Sequence, residues 1–312
     1  MMENQKKAAV ILISIGTLFW GSIYVSTKFL LERISSEEIL FFRYLAAATF
    51  LFVFMKIRGK DLKLEKKSIM RIVISSALGI NLCFYFQTVA LKSISVSMAG
   101  LFNGTIPILT LIAEIIFFGK KVTRKIIMIF LLSTLGIYLT VIDSSSSLNG
   151  GVPFKGYLFM LLGIICWIAY TFITEPLSSR YSSPCVLTYQ SITATILMLP
   201  FVVKELFTIN YFGLFINEKA IILNLLYMGI FCTAIAFGGF VYSVSVLGPS
   251  TTAIFTNFIP IVSMLGGYFV FGEMLTFKKL AGAGLVILSI FLINSNISVK
   301  STKSSEEELC EV

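Results

Sequence analysis

Two prolines in the middle of long apolar stretches are the residues whose chemical effect is easiest to anticipate. Pro107 and Pro260 stand at matching places in the two halves of the sequence. A proline inside a helix cannot donate to the carbonyl four residues earlier, so the carbonyl groups of Asn103 and Thr256 are expected to be free. Interrupted helices at corresponding places in two halves of a chain indicate a polar binding site near the middle of a bilayer. A tolerated kink is the alternative, since proline is common in membrane helices.

Polar and aromatic side chains on other stretches have the chemistry to complete such a site. Amide and hydroxyl groups can hydrogen-bond a solute, and aromatic faces can stack on a planar or cationic one. Packing is the alternative interpretation for any single aromatic residue. The predicted binding residues are Trp20, Tyr24, Arg43, Asn81, Tyr85, Asn103, Pro107, Trp167, Tyr170, Gln190, Asn257 and Pro260.

Charged side chains inside apolar stretches are costly and usually face a cavity or a partner. Arg43 has no acidic residue one turn away in its own helix, so we expect it to bind a carboxylate of the solute; an inter-helix structural pair is the alternative. Lys28 is expected to reach the membrane surface and to pair with Glu32 one turn away. Glu114 and Glu175 are the candidates for carrying a coupling proton, with pairing to cytosolic cations as the alternative.

Several kinds of function are disfavoured by residues that the sequence lacks. It has no histidine, which is the commonest general base and metal ligand, and its five cysteines show no CxxC spacing. No GxxxxGKS or GxxxxGKT run is present to bind a nucleotide. We therefore predict no catalytic residue, no metal and no cofactor. If the protein moves a solute, we expect a gradient of that solute, of protons or of another ion to supply the energy for its movement.

The elements that must position these residues are membrane helices. Hydrophobic residues make up 57% of the chain and charged residues 13%, and the mean hydropathy is +0.92. A helix needs about 20 apolar residues to cross a bilayer, whereas barrel strands are half as long and alternate apolar with polar residues. The sequence predicts an all-α integral membrane protein with ten transmembrane helices, at about 8–29, 36–56, 69–91, 95–118, 125–142, 154–174, 184–203, 220–244, 250–271 and 278–294.

The two halves of the sequence align with each other. Trp20 falls on Trp167 at an offset of 147 residues, and Pro107 falls on Pro260 at an offset of 153. Each half carries an odd number of predicted spans, so the second copy must insert upside down relative to the first. The predicted organisation is two inverted five-helix repeats and a disordered cytoplasmic tail, at 1–146, 147–296 and 297–312.

Basic residues are distributed unevenly between the loops. The net charge is +9, and most lysines and arginines of the first half lie in the loops 56–71 and 120–125, on the same side as the N-terminus. By the positive-inside rule this side faces the cytoplasm. We predict a multi-pass protein of the cytoplasmic membrane with both termini in the cytoplasm. We expect a monomer or a homodimer and no nucleic-acid partner.

Short motifs over residues 8–295 resemble those of a known family. The first half carries Phe19-Trp20-Gly21-Ser22, Arg43-Tyr44, Asn103-x-x-x-Pro107 and Phe118-Gly119-Lys120-Lys121-Val122-Thr123. The second half carries Pro260, Phe271-Gly272-Glu273-Met274-Leu275-Thr276 and a glycine-rich last span. Together these motifs resemble EamA-type members of the drug/metabolite transporter superfamily. Lys120 departs from the pattern, because Glu273 stands at that place in the second copy.

The resemblance implies a basket of ten helices around a central cavity. It implies a secondary active transporter that moves a small metabolite, amino acid or drug-like solute across the cytoplasmic membrane by alternating access, most often outward. A nucleotide-sugar-type antiporter is an alternative, although its bulky anionic ligand would need more cations than Lys28 and Arg43. A polytopic membrane enzyme and a channel are further alternatives; the enzyme would need a clustered base or metal set, whereas the carboxylates here are scattered.

Overall fold

The structure is a computed structural model of the 312-residue chain. It describes residues 2–59, 64–118, 154–178, 180–247 and 258–289, with single residues or short runs between 124 and 139 and at 252, 255, 256 and 292. Most of the predicted fifth span, 125–142, lies outside the described residues, as does the whole predicted tail, 297–312.

Helices make up nearly all of the described chain, and no strand occurs in that part. In chain order they are α1 (Met2–Leu31), α2 (Ser36–Ile57), α3 (Lys66–Ser75), π1 (Ser76–Leu82), α4 (Cys83–Ala90), α5 (Val96–Asn103), α6 (Ile106–Phe118), α7 (Phe154–Ser178), α8 (Ser183–Thr208), α9 (Tyr211–Asn217), α10 (Lys219–Leu226), π2 (Tyr227–Ile235), α11 (Ala236–Leu247), α12 (Phe258–Phe271) and α13 (277–289). The segments π1 and π2 are π-helices, which continue the helices on either side of them.

Seven helical units among the described residues are long and apolar enough to cross a membrane. They are Asn4–Leu31, Ser36–Ile57, Lys66–Ala90, Val96–Phe117, Phe154–Ser178, Ser183–Thr208 and Lys219–Leu247. The shorter α12 is also apolar. Because backbone polar groups must be satisfied internally in lipid, long apolar helices are the form such a chain takes. The protein is therefore a multi-pass helical membrane protein.

Capping residues explain where the helices turn back across the membrane. Ser35 begins α2 with a capping box: its hydroxyl accepts the Glu38 N–H at 3.2 Å, and its own N–H donates to Glu38 Oε2 at 2.6 Å. Ser95 begins α5 in a similar way by accepting the Met98 N–H at 3.2 Å. Side chains of this type satisfy the orphan N–H groups of a first helical turn, so each tight connection ends in a stable helix start.

Both π-helices lie where a neighbouring helix comes very close. A Cβ atom added to Gly79 in π1 would lie 2.1 Å from the Tyr170 ring. A Cβ atom added to Gly229 in π2 would lie 2.7 Å from the carbonyl oxygen of Arg43. The i to i+5 turn widens the helix locally and changes the angle between residues four apart. Glycine and the wider turn together allow this close approach.

Small residues also bring the remaining helices together around the centre. The first span, α1, packs against α11 and α12, α2 packs against α8, and α5 packs against α12. At the last crossing, a Cβ atom on Gly100 would lie 1.5 Å from Ser263 Oγ. Helices in lipid gain little from the hydrophobic effect, so close packing of this kind stabilises their association.

Candidate functional site

A small cavity lies at the centre of the bundle, where both halves of the chain meet. Its lining comes from α1, α4, α5, the start of α6, α7, Thr256 and α12. The lining residues are Trp20, Ile23, Tyr24, Phe84, Gln87, Asn103, Ile106, Trp167, Thr256 and Ile259. No charged side chain belongs to this described lining.

The cavity is closed in this structure in the sense that it is too small to hold a solute. It has about 30 Å³ of space for water-sized molecules, which is room for about two waters. Sites that bind small molecules are roughly ten times larger, at about 300–1,000 Å³. The helices around the cavity must therefore move apart before it can take a solute.

Two tryptophans form its aromatic wall. The Trp20 and Trp167 rings meet edge to face, with centroids 5.7 Å apart and an interplanar angle of 83°. Trp20 Nε1 donates to the carbonyl oxygen of Cys232 in π2 at 3.0 Å, and Phe84 lies 6.4 Å from Trp167. Aromatic pairs in this geometry attract each other beyond their apolar burial. The wall is consequently well fixed, because Phe237 and Phe240 also pack against both tryptophans.

Amide and hydroxyl groups supply its polar side. The Tyr24 hydroxyl donates to Gln87 Oε1 at 3.1 Å, and Gln87 Nε2 donates to Cys83 Sγ at 3.3 Å. Asn103 Nδ2 donates to the carbonyl oxygen of Ala99 in the preceding turn at 3.1 Å. These neutral groups can exchange partners for those of a solute without leaving a buried charge.

The structure brings four of the predicted binding residues together in this lining: Trp20, Tyr24, Asn103 and Trp167. The other described ones lie outside it: Arg43, Asn81, Tyr85, Tyr170, Gln190 and Pro260. Asn257 lies outside the described residues; Pro107 belongs to α6, and its side chain is outside the described part. The lining also contains Phe84 and Gln87, which the sequence did not single out.

Arg43 is buried directly behind the cavity wall. Its side chain is 1% exposed, its Nε donates to Thr233 Oγ1 at 2.7 Å, and its guanidinium lies 4.2 Å from the centre of the Phe84 ring. Its Nη2 has no hydrogen-bond partner, and no carboxylate within 4.0 Å pairs with it in the described part of the chain. A buried cation with a spare donor is costly, and the Phe84 ring against which it lies is part of the cavity lining.

Gln190 and Tyr170 form a second polar cluster, on the side of α7 and α8 that faces π1. Gln190 Nε2 donates to Ser75 Oγ at 2.9 Å, and the Tyr170 hydroxyl donates to Gln190 Oε1 at 3.3 Å. Asn81 belongs to the same region: its Nδ2 donates to the carbonyl oxygen of Ala194 at 3.1 Å, while its Oδ1 has no partner. These residues connect the two halves of the chain rather than lining the cavity.

Tyr85 lies four residues after Asn81, a spacing that puts two side chains on one face of a regular α-helix. In the structure Asn81 faces α8, whereas the Tyr85 hydroxyl is directed to Glu37 at the start of α2. The physical reason is π1, which includes Asn81 and changes the angle between residues four apart.

Pro260 packs against the break in the fourth span instead of opening a free carbonyl. The Thr256 carbonyl oxygen accepts the Ile259 N–H at 3.0 Å in a three-residue turn, so the expectation that it is free is wrong. A Cβ atom added to Gly104 would lie 2.8 Å from Pro260 Cγ. Gly104 and Thr105 form the turn between α5 and α6, just before Pro107.

Of the two carboxyl candidates for coupling, Glu175 is not part of the central cavity lining. Glu175 is exposed near the end of α7 and lines a separate narrow crevice with Tyr170 and Thr174. The side chain of Glu114 lies outside the described part of the chain.

Comparison with known proteins identifies the family. A family model described as the EamA-like transporter family matches residues 7–142 and 154–295. A relative from Archaeoglobus fulgidus, named an uncharacterized transporter, is 24% identical and covers 91% of this chain and 97% of its own. An S-adenosylmethionine uptake transporter of Rickettsia bellii is 22% identical and covers 89% of this chain and 91% of its own.

A solved crystal structure shows the same fold. It is 15% identical in sequence, superposes with a TM-score of 0.64, and covers 91% of this chain and 97% of that one. Apolar helices around a shared central cavity, relatives named as transporters and the match along both halves agree with each other. The chain belongs to the EamA-like transporter family, as a multi-pass helical membrane transporter.

Proposed function

We propose that this protein is a secondary active transporter that moves a small metabolite, amino acid or drug-like solute through the central cavity by alternating access. It acts in the cytoplasmic membrane with both termini in the cytoplasm, and its net direction is export. The observation that carries this proposal is the closed cavity lined by polar and aromatic side chains from both halves of the chain. Such a midplane site between two halves is the usual basis of alternating access.

Repeated features of the helices support two inverted five-helix repeats, 1–146 and 147–296. The helices α2 and α8 begin at Ser36 and Ser183, 147 residues apart, and α3 and α10 begin at Lys66 and Lys219, 153 residues apart. The segment π1 coincides with the last seven residues of π2 at the same offset of 153. Repeats related by a two-fold axis bring equivalent elements into contact at that axis. The α2–α8 packing and the Trp20–Trp167 contact meet this condition.

The lining favours a solute with a planar part. Trp20 and Trp167 can stack on a ring or a cation, and Tyr24 and Asn103 can hydrogen-bond it. Arg43 would contact a carboxylate once Phe84 moves away from it. A bulky anion such as a nucleotide sugar fits less well, because the described lining has no charge. S-adenosylmethionine, which the Rickettsia bellii relative is named for, has a planar ring and a cation, so it belongs among the solutes to test.

Gradients are the proposed source of energy, with Glu114 and Glu175 as the candidate proton carriers. The resemblance to the family implies export, whereas two relatives are named for uptake. Both directions therefore need measurement, in vesicles of each orientation.

The test is solute counterflow in proteoliposomes, after a thermal-shift screen against amino acids, amines, small carboxylates and S-adenosylmethionine. We expect Asn103→Leu to abolish counterflow of the solute that gives the largest shift, because the cavity loses an amide. Asn257→Leu should do the same.

Asn224→Leu is the matched control. Asn224 makes the same kind of bond to the preceding turn, from its Nδ2 to the Ala220 carbonyl oxygen at 2.8 Å, but it is partly exposed and does not line the cavity. Full activity of both Asn103→Leu and Asn257→Leu would contradict the central site.

A further inference from the structure

Glu273 makes an unusual set of contacts for a residue in a loop. It follows Gly272, whose φ of 63° lies in the left-handed region that favours glycine. Its N–H donates to the Gly267 carbonyl oxygen at 3.1 Å, so the chain turns sharply at the end of α12. The carboxylate is thereby directed back toward the start of α5, and its side chain is 9% exposed.

The carboxylate joins three helices that are distant in sequence. Oε1 accepts the Val96 N–H at 2.7 Å, and Oε2 accepts the Ser97 N–H at 3.0 Å and the Ser97 hydroxyl at 2.5 Å. Lys28 Nζ, near the end of α1, lies 3.8 Å from Oε1. An anion at a helix N-terminus that also receives backbone donors and a cation makes strong, charge-assisted contacts.

The expected pairing of Lys28 with Glu32 is wrong. Glu32 instead contacts Arg33 at 3.3 Å, and Lys28 turns to Glu273. Sequence spacing favours partners one helical turn apart, whereas this contact depends on how α1 and α12 pack.

Packing around the carboxylate is close. A Cβ atom added to Gly267 would lie 2.5 Å from Glu273 Oε2 and 2.8 Å from Ser97 Oγ. The helix α1 packs closely along α12, whereas the equivalent pair in the aligned halves, α7 and α6, has few contacts. Among the described residues, the helices around the cavity are therefore packed more closely on the side of Lys28.

We propose that Glu273 is a latch that holds the Lys28 side of the cavity closed, and that opening to that side requires the carboxylate to leave the start of α5. This inference rests on the proposed alternating access. In that cycle α1 and α12 must separate at this end, and Glu273 is the residue whose contacts break when they do.

Reactivity of a cysteine placed in the cavity tests the latch. In a chain whose native cysteines are replaced, Ile259→Cys reports on the lining, and Glu32→Cys, which is exposed, marks the side on which Lys28 lies. A membrane-impermeant maleimide is added to each side of the membrane in turn. Glu273→Gln keeps the size of the side chain but places a donor against the Ser97 N–H. We expect Ile259→Cys to react about tenfold faster from the Lys28 side in this variant. The reason is that the loss of one charged hydrogen bond shifts the equilibrium between closed and open states by about that factor.

Glu218→Gln is the matched control, because Glu218 pairs with Arg33 at 3.4 Å near the same end of α1 but does not reach α12 or α5. It should leave the reaction rate unchanged. Two results together would overturn the latch: Ile259→Cys reacts from the opposite side, and its rate from the Lys28 side is the same with and without Glu273→Gln. The transporter proposal would still stand, because the cavity would open to one side. If Ile259→Cys reacts from neither side in any variant, both proposals fail.

A disulfide gives a second measurement that does not depend on how well Glu273→Gln folds. The Cβ position of Gly266 lies 3.9 Å from Val25 Cβ, within the range of about 3.5–4.5 Å seen in disulfides. Oxidation of Val25→Cys/Gly266→Cys should fix α1 to α12 and block counterflow, and reduction should restore it. Val25→Cys alone is the control. If counterflow after complete cross-linking is as fast as in the protein whose disulfide has been reduced, the latch is overturned.

Discussion

At the residue scale, the arrangement around Arg43 links the buried charge to the cavity. The guanidinium is held by Thr233 and lies against Phe84, yet one of its nitrogens has no partner. In the closed state this nitrogen donates no hydrogen bond. A solute carboxylate that displaces Phe84 would satisfy it, and the free energy gained would favour the open, loaded state.

Arg43→Gln tests that role. We expect affinity for a carboxylate solute to fall by about 10–100-fold, because a hydrogen bond to a charged group contributes about 1.5–3 kcal/mol. The amide analogue of the same solute should bind equally well to both proteins, and Arg43→Lys should keep part of the preference. Isothermal titration with the acid and the amide measures this; equal losses for both would show that Arg43 only holds helices together.

The sequence predicts lining residues that are mirrored in the two halves or lie near a proline, and it misses Gln87 and Phe84. Trp20 and Trp167 align between the halves, and Asn103 precedes a proline by four residues. Gln87 was detectable as a polar residue in an apolar span. Phe84 was not, because one phenylalanine among 29 carries no sign of where it faces.

At the element scale, the spans follow from hydropathy while the π-helices do not. The length of an apolar run is fixed by the thickness of the bilayer, so α2 has nearly the predicted bounds 36–56 and α8 begins one residue before the predicted 184, although it ends at Thr208 and not at 203. A π turn depends instead on what packs against it from distant parts of the chain. Nothing local in 76–82 indicates that Tyr170 lies against Gly79.

Gly79→Ala should therefore destabilise the protein. The added methyl would overlap the Tyr170 ring, and overpacking of this kind costs about 1–3 kcal/mol. We expect the detergent-purified variant to unfold at a lower temperature. Gly284→Ala is the comparison, since nothing lies within 4 Å of its Cβ position and alanine is the better helix former. Equal melting temperatures for the two variants would contradict the close π1–α7 contact.

At the scale of the whole molecule, the proposed latch can be compared with the matching positions of the other proposed repeat. The alignment of the halves puts Glu175 at the place of Lys28 and Lys120 at the place of Glu273, so the same two positions carry exchanged charges in the other half. Contacts that join distant residues, such as Lys28 with Glu273, follow from the packing of three helices and cannot be predicted from spacing.

Topology mapping tests the inverted arrangement directly. The predicted five spans of the first half would put Gly150 and the N-terminus on opposite sides of the membrane. Epitope tags at the two places should be accessible from different sides in intact and permeabilised cells. A tag at Gly150 that is exposed on the same side as the N-terminus would rule out two inverted five-helix halves.

The small size of the closed cavity has a consequence for the cell that carries the protein. The cavity has room for about two waters, which is far fewer than a file of waters across about 30 Å of hydrocarbon would need to carry protons. We therefore expect that many copies of the protein can be present in a membrane without lowering its ion gradients while no solute is bound.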